Sequence, residues 1–424
     1  MLRTFALLSL AACTLFFLSS CTSISKGVTE AVLEHEEADT RQCTIEGARF
    51  DGLRQSLARQ AEQKGVTKVL MVHGIGTHLP GYANRFRDNI VQSLGLNVTD
   101  AETKTIAIAD GVSSETDRHA ALKVTRHADA SGRRTLLFYE LTWANLTQPQ
   151  KEQLAYDSEN TEGLARASIN KSLKSFLNQT VPDMLIYMGA GQAQITGAVQ
   201  EATCWMMSNN WANLPAQSSG RRCQGSGTAN VAALRQDEAF FITHSLGSLI
   251  TIDTIQSFAR ELAILPQEAN VTQLRAALRD KKFTVFMLSN QLPLLQLGRK
   301  PQKALNRLDD FCGATAPLGN QRVLGQLNVI AFSDPNDILS YPVQDDFARN
   351  TLDSRLCAQL VNVSLNVAQE KDLFGAVRFA DPLSAHSGYL ADERVTRLIT
   401  DGVHDDASQP QCRWQERRRY PTAP

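Results

Sequence analysis

The sequence predicts an α/β fold: a mostly parallel central sheet with flanking helices and a helical insertion ahead of one particular strand. Short continuous apolar runs, among them Val69-Leu70-Met71-Val72, Ala239-Phe240-Phe241-Ile242 and Asn328-Val329-Ile330-Ala331-Phe332, suit strands buried on both faces of a sheet. Stretches of helical period separate them, the pattern of a sheet covered by helices. With 424 residues, of which 43% are hydrophobic and 21% charged, the chain has the composition of a globular protein with a sizeable core. Its 43 Lys+Arg against 44 Asp+Glu leave no basic field to hold nucleic acid and no acidic excess of the kind that keeps chains disordered.

Arg3 precedes an apolar stretch from Phe5 to Leu18 that is short for a membrane span and reads as the core of a signal peptide covering residues 1–20. The stretch ends in Leu18-Ser19-Ser20-Cys21, which resembles the lipobox of bacterial lipoproteins. The resemblance implies cleavage before Cys21, acylation of that cysteine and attachment to a bilayer, with Thr22 favouring the outer membrane, facing the periplasm. Leu10-Ala11-Ala12-Cys13 fits the pattern too, with a shorter apolar core. Residues 21–46, polar and without a clear period, are expected to tether the lipid to a body spanning 47–404. Residues 405–424, with Arg417-Arg418-Arg419, are expected to form a solvated tail.

Removing Cys13 with the signal and Cys21 to lipid leaves six cysteines, an even set that suits disulfides in an oxidising compartment. Six cysteines allow 15 pairings by counting. Loop length and position favour Cys204 with Cys223, Cys312 with Cys357, and the near-terminal Cys43 with Cys412. Buried free thiols are the alternative. No cysteine pair has the short Cys-x-x-Cys spacing of a zinc site, and no metal or organic cofactor is expected.

Along the body, the Val69–Val72 strand leads into His73-Gly74-Ile75-Gly76-Thr77-His78. A helix is expected over 82–94, with Phe86, Ile90, Val91 and Leu94 on one face, followed by strands at 105–109 and 136–139. From Glu162 to Met207 the pattern turns helical, with Ile169, Leu173, Phe176 and Leu177 on one face and Pro182 expected to break the run. Part of 146–230 is a candidate lid over a site; the alternative is plain core helices packed on the sheet. The Ser/Gly-rich piece from Gln217 to Asn230 reads as a surface loop.

The strongest chemical signal is the run Ala239–Ile242 followed by Thr243-His244-Ser245-Leu246-Gly247 and then Ser248-Leu249-Ile250-Thr251-Ile252 opening a helix. This strand, sharp turn and helix resemble the nucleophile elbow of the α/β-hydrolase family, usually Gly-x-Ser-x-Gly, in which the serine is strained and its neighbours two away are small. Gly247 keeps the second small position; Thr243 stands where the first glycine is usual. The resemblance makes Ser245 the nucleophile.

A serine hydroxyl needs a base to take its proton and a third group to hold that base. The family order is serine, acid, histidine. Directly after the Asn328–Phe332 strand comes Ser333-Asp334-Pro335-Asn336-Asp337-Ile338, where the family carries its acid. Asp337 is the first candidate. Asp334 is the alternative, being well suited to start a turn around Pro335. Beyond a last strand in which Val361, Val363, Leu365 and Val367 alternate with polar residues, a loop holds His386, the candidate base, ahead of a helix at 392–399. His73, His78 and His244 lie within motifs where histidines are usually structural.

The resemblance also implies an oxyanion hole made by the N–H of Leu246 with that of Gly74 or Ile75, each donor contributing about 3 kcal/mol to the transition state. The same glycine-rich loop lacks the Lys and Ser/Thr pair of a phosphate-binding P-loop. The expected function is therefore serine hydrolysis of a carboxylic ester, with a small-molecule or lipid-like ester at the cell envelope as substrate. A periplasmic amidase or peptidase, or a catalytically silent envelope lipoprotein acting as a binding module, are the alternatives.

Overall fold

The computed structural model describes residues 42–97, 102–108, 120–154, 156, 167–218, 222–223, 228–297, 299, 306–313, 315–373, 377–404 and 412–415. The signal segment, Cys13, Cys21, nearly all of the tether, most of the tail and part of the 217–230 piece lie outside them.

The strands are β1 (Cys43–Gly47), β2 (Phe50–Asp51), β3 (Thr67–Val72), β4 (Glu102–Ile108), β5 (Ala120–Ala128), β6 (Thr135–Thr142), β7 (Gln217–Ser218), β8 (Glu238–His244), β9 (Lys282–Leu288), β10 (Gln326–Ser333), β11 (Ala358–Leu365), β12 (Lys371–Leu373), β13 (Val377–Phe379), β14 (Gly402–Val403) and β15 (Arg413–Gln415). Eleven form one mixed sheet in the order β15-β1-β11-β10-β9-β8-β3-β6-β5-β4-β7. The six central strands, from β11 to β6, are all parallel. Antiparallel β5 and β4 extend one side and antiparallel β1 the other.

Helices cover both faces, because the central strands are apolar on both. Leu70, Val72, Phe241 and Val285 pack against Ile195, Ala198 and Ala202 of the helix Gln192–Ser208 and against Leu249, Ile252 and Ala259 of the helix Leu246–Ile264. Val69, Met71, Phe240 and Phe286 face the other way, toward Leu53 and Leu57, Phe86, Ile90 and Val91, and Val395, Leu398 and Ile399. The last three lie on the helix Glu393–Asp401. Each buried side chain of this size contributes roughly 1.5–3 kcal/mol.

Three disulfides join Cys43 to Cys412, Cys204 to Cys223 and Cys312 to Cys357, the pairing that loop length and position favour. The first explains two differences from the sequence reading. The folded body starts at 43 rather than 47, because Cys43–Gly47 pairs with β11. The tail is not wholly solvated, because residues 413–415 add a strand beside β1, held there by Cys412.

Other local expectations are corrected. Pro182 does not break its helix; Ser168–Met188 runs through it, and Asp183 and Tyr187 just beyond are buried anchors that keep the chain helical. The helix Gln192–Ser208 is core, whereas the first turns of Ser168–Met188 stand exposed. Residues 217–218 of the expected surface loop form the outermost strand, and Thr228–Gln236 is a helix. In β11 the polar face is not left to water, since Asn362 is buried and exchanges hydrogen bonds with the backbone of Val343.

Candidate active site

The C-terminal ends of the parallel strands β3, β8, β9, β10 and β11 lie along one edge of the sheet, and the chemically distinctive residues gather there. Ser245 follows β8 directly and caps the helix Leu246–Ile264 with φ 53° and ψ −125°. A non-glycine residue in that region is strained, and the surrounding structure must over-determine it. Here the Ser245 N–H donates to Leu288 O at 2.9 Å, and Ser248 N–H donates to Ser245 O at 3.0 Å. Gly247 permits the sharp turn: a Cβ there would lie 2.5 Å from Val72 O and 2.7 Å from His73 O. Thr243, the departure from the usual glycine, fits without conflict. Its hydroxyl lies 2.9 Å from Ser248 Oγ and donates to Phe286 O at 3.2 Å, tying the strand to the first helical turn and to β9.

His386 Nε2 lies 3.2 Å from Ser245 Oγ, and His386 Nδ1 lies 3.0 and 3.2 Å from the two carboxylate oxygens of Asp337. Serine hydroxyl, imidazole and carboxylate thus form one hydrogen-bonded series. Asp337 also accepts from Ser289 Oγ at 2.7 Å and from Leu339 N–H at 3.1 Å, and Tyr389 OH approaches at 3.4 Å. Burial by itself would push the Asp337 carboxyl up. The hydrogen bond and charge of His386, with those from Ser289 and Leu339 N–H, outweigh it and hold the group below the usual carboxylate value.

Asp334 plays another part. One oxygen accepts from Asn336 N–H at 2.7 Å and the other from Val367 and Ala368 N–H at 2.6 and 3.2 Å, stapling the loop after β10 to the end of β11. It makes the turn around Pro335 and leaves the imidazole to Asp337. His386 sits on the short helix Pro382–Ser387 rather than in an open loop. Its carbonyl accepts from His244 Nε2 at 2.9 Å, so the histidine preceding Ser245 fixes the backbone of His386. Burial, reinforced by the neighbouring His386, pushes the His244 imidazole down to about 3, which keeps it neutral.

The loop after β3 lies against Ser245. A Cβ at Gly74 would fall 2.7 Å from Ser245 Cβ and 3.2 Å from Ser245 Oγ. Gly74 and Ile75 therefore bring backbone to within reach of a group bound on Ser245, beside Leu246 at the positive end of its helix. His73 and Asp183 hold this loop. His73 is buried and stacked between His78 and Trp143; its Nε2 accepts from Trp143 N–H at 3.0 Å, so Nδ1 carries the proton and donates to Gly74 O at 2.8 Å. Asp183 accepts from Gly76 N–H at 2.6 Å and is itself held by Thr147 Oγ1 and Lys151 Nζ, both at 2.6 Å.

Sequence reasoning missed Ser289, Asp183 and the loop-holding role of His73. Ser289 directly follows β9, a strand the mostly apolar run Phe283–Leu288 announces, and its φ of 51° marks a second strained serine beside the first. Asp183 carried the one available signal, a lone acidic residue on the otherwise apolar stretch Val181–Met188.

Among the described residues no group of three or more His, Cys, Asp or Glu converges that could hold a metal ion, and no helix is long and apolar enough to cross a membrane. A separate cavity of about 410 Å³ beside the Cys204–Cys223 disulfide, lined by Met207, Phe241, Ile255 and Phe283, includes none of Ser245, Asp337 and His386. Comparison with known proteins returns no matching family model, no matching curated protein and no matching solved structure.

Proposed function

We propose that the protein is a serine hydrolase of the α/β-hydrolase type that cleaves a carboxylic ester through an acyl-enzyme. The observation that carries this reading is the unbroken series from Asp337 through His386 to the strained Ser245. His386 Nε2 takes the Ser245 proton as Oγ attacks the ester carbonyl, and Asp337 holds the imidazole in the required tautomer and stabilises its cation. Negative charge on the carbonyl oxygen is met by the N–H of Leu246 and that of Gly74 or Ile75. The imidazolium returns its proton to the departing alkoxide. Water, deprotonated by the same imidazole, then releases the acid and restores Ser245.

A lipid-like ester at the cell envelope fits the rest of the chain. The lipobox-like Leu18-Ser19-Ser20-Cys21 supports attachment through Cys21, and three disulfides suit an oxidising compartment such as the periplasm. The test is hydrolysis of p-nitrophenyl esters from acetate to palmitate, beside matched anilides, by wild type and Ser245→Ala. Turnover of esters, rising with chain length and absent in the variant, supports the reading. Turnover of anilides alone moves it to an amidase, and no turnover of either counts against it. Incorporation of labelled palmitate that Cys21→Ser abolishes tests the anchor.

A further inference from the structure

Exposed apolar side chains are unevenly distributed over this molecule. Several large hydrophobic residues stand exposed in the loops that follow the strand ends bearing Ser245, Asp337 and His386. They include Leu79 after β3 (68% exposed), Leu297 after β9 (73%) and Ile338 after β10 (71%), with Leu383 one helical turn before His386. Single exposed hydrophobes are ordinary on a protein surface, but these surround the mouth of the candidate site.

The helix Ser168–Met188 adds a second feature on that edge. Asp183 and Tyr187 on its inner face are buried, and Thr180 lies against Gly76. Stepping back along that face by three and four residues gives Phe176, Leu173 and Ile169, with Leu177 alongside, yet here Leu173, Phe176 and Leu177 are exposed. The face that grips the protein at one end thus runs on past it, still apolar. Lys171 and Lys174 lie to its other side, and no acidic residue occurs in the helix before Asp183. An apolar stripe backed by lysines is the pattern of helices that lie in a membrane interface and meet anionic headgroups.

The third feature is the direction of β1. It runs antiparallel to β11, with Cys43 opposite Leu365, so its first residue stands at the C-terminal end of the parallel strands. Gln42 O accepts from Asn366 N–H there, at 3.1 Å. The chain therefore joins the folded body at the edge that carries the candidate site. Segment 22–41 spans at most about 70 Å when fully extended, so an anchor at Cys21 would lead into the body from that edge.

From these three features we infer that the protein docks edge-on upon a phospholipid surface, with Leu173, Phe176 and Leu177 dipping into the interface and the mouth of the Ser245 site facing the lipid. The inference rests on the anchored-hydrolase reading for its biological sense and deepens it: the substrate is an ester drawn from the lipid layer itself.

The test uses residues 22–424, which contain every described element and lack the cysteine that would be acylated, mixed with vesicles of phosphatidylethanolamine and phosphatidylglycerol and separated by flotation. The protein is expected to float with the vesicles. Leu173→Ser/Phe176→Ser/Leu177→Ser is expected to lower the bound-to-free ratio at least about tenfold, the loss of some of the apolar area that holds interfacial helices. Ile264→Ser, on an apolar residue away from that edge, is expected to bind like the parent. A parent that stays in solution, or a triple variant that floats as well as the parent, overturns the docking. Fluorophosphonate labelling of the same samples separates the two readings: a parent that labels but does not float removes docking alone, and one that floats but does not label removes the hydrolase reading alone.

Discussion

Ser289 Oγ donates to Asp337 Oδ2 at 2.7 Å and lies 2.9 Å from His386 Nδ1, so a second serine touches both the carboxylate and the imidazole beside their direct contact. The relationship exists because β9 and β10 are parallel neighbours whose C-terminal ends coincide. Ser289→Ala removes one hydrogen bond to a charged group, worth roughly 1.5–3 kcal/mol. Turnover is expected to fall about tenfold or more by that magnitude, with KM little changed, since Ser289 acts through Asp337. Steady-state kinetics on a soluble ester check this, and an unchanged kcat would make the contact incidental.

The two acids after β10 are expected to separate cleanly. Asp337→Asn leaves the shape intact but holds the imidazole wrongly, and a loss of about ten-thousand-fold in kcat is the scale for such a change. Asp334→Asn weakens charge-assisted bonds to the backbone of Val367 and Ala368, so its effect is a lowered Tm with near-normal turnover per folded molecule. Thermal unfolding beside kinetics on both variants decides it; a reversed pattern would make Asp334 the acid.

At the elbow the two flanking positions are expected to differ in tolerance. Gly247→Ala drives a Cβ onto backbone oxygens of Val72 and His73 that have nowhere to go, so labelling of Ser245 is lost and stability drops by at least about 1–3 kcal/mol. Thr243→Gly gives up the hydroxyl's bonds to Ser248 and Phe286, about 1 kcal/mol each, while the nucleophile still labels. Circular dichroism melts with labelling on each variant test the contrast.

Stability is expected to fall as the pH drops below the ordinary histidine value. Burial, and after it the neighbouring His78, holds the His73 imidazole well below 6.5, and its Nε2 must stay unprotonated to accept from Trp143. The unfolded chain takes up the proton near 6.5 and the folded chain does not, so below that pH the unfolded state gains about 1.4 kcal/mol per pH unit from this residue. The depressed Asp337 acts in the same direction in a lower window: its contribution is complete above the unfolded carboxylate value of 3.8 and is lost as pH falls from there through its lower folded value. Urea melts between pH 7 and 5 should therefore show falling stability from histidine alone, with a smaller slope in His73→Asn. Equal slopes would mean that His73 is charged in the folded protein.

The bridge from Cys43 to Cys412 closes almost the whole described chain into one loop, and both cysteines flank strands at the sheet's outer edge. Replacing both by serine is expected to cost about 2–4 kcal/mol of stability, mainly through the freer unfolded chain. Because the bridge lies beyond β11, turnover of a soluble ester by the folded variant should match wild type.

Much of this architecture is legible in the sequence because a doubly buried strand has few alternatives: Val69–Val72, Ala239–Ile242 and Asn328–Phe332 read as strands and lie in β3, β8 and β10. Patterns set by distant partners are less legible. Residues 43–46 look like a polar flank and become a strand by pairing with β11, and residues 413–415 become one by pairing with β1 beside the disulfide. Pro182 reads as a break because local propensity says so, while Asp183 and Tyr187, buried against other elements, overrule it. At the candidate site, Ser245, Asp337 and His386 stand in a recognisable order along the chain. Ser289 has no such order to reveal it, since its place beside Asp337 is a property of strand register.

The most direct test of the central claim is reaction of purified residues 22–424 with a fluorophosphonate probe, beside Ser245→Ala and His386→Ala. Labelling of wild type that both substitutions abolish, with the label recovered on the Ser245 peptide, is the expected result. A folded wild type that does not label, or a label that persists in Ser245→Ala, would contradict the account.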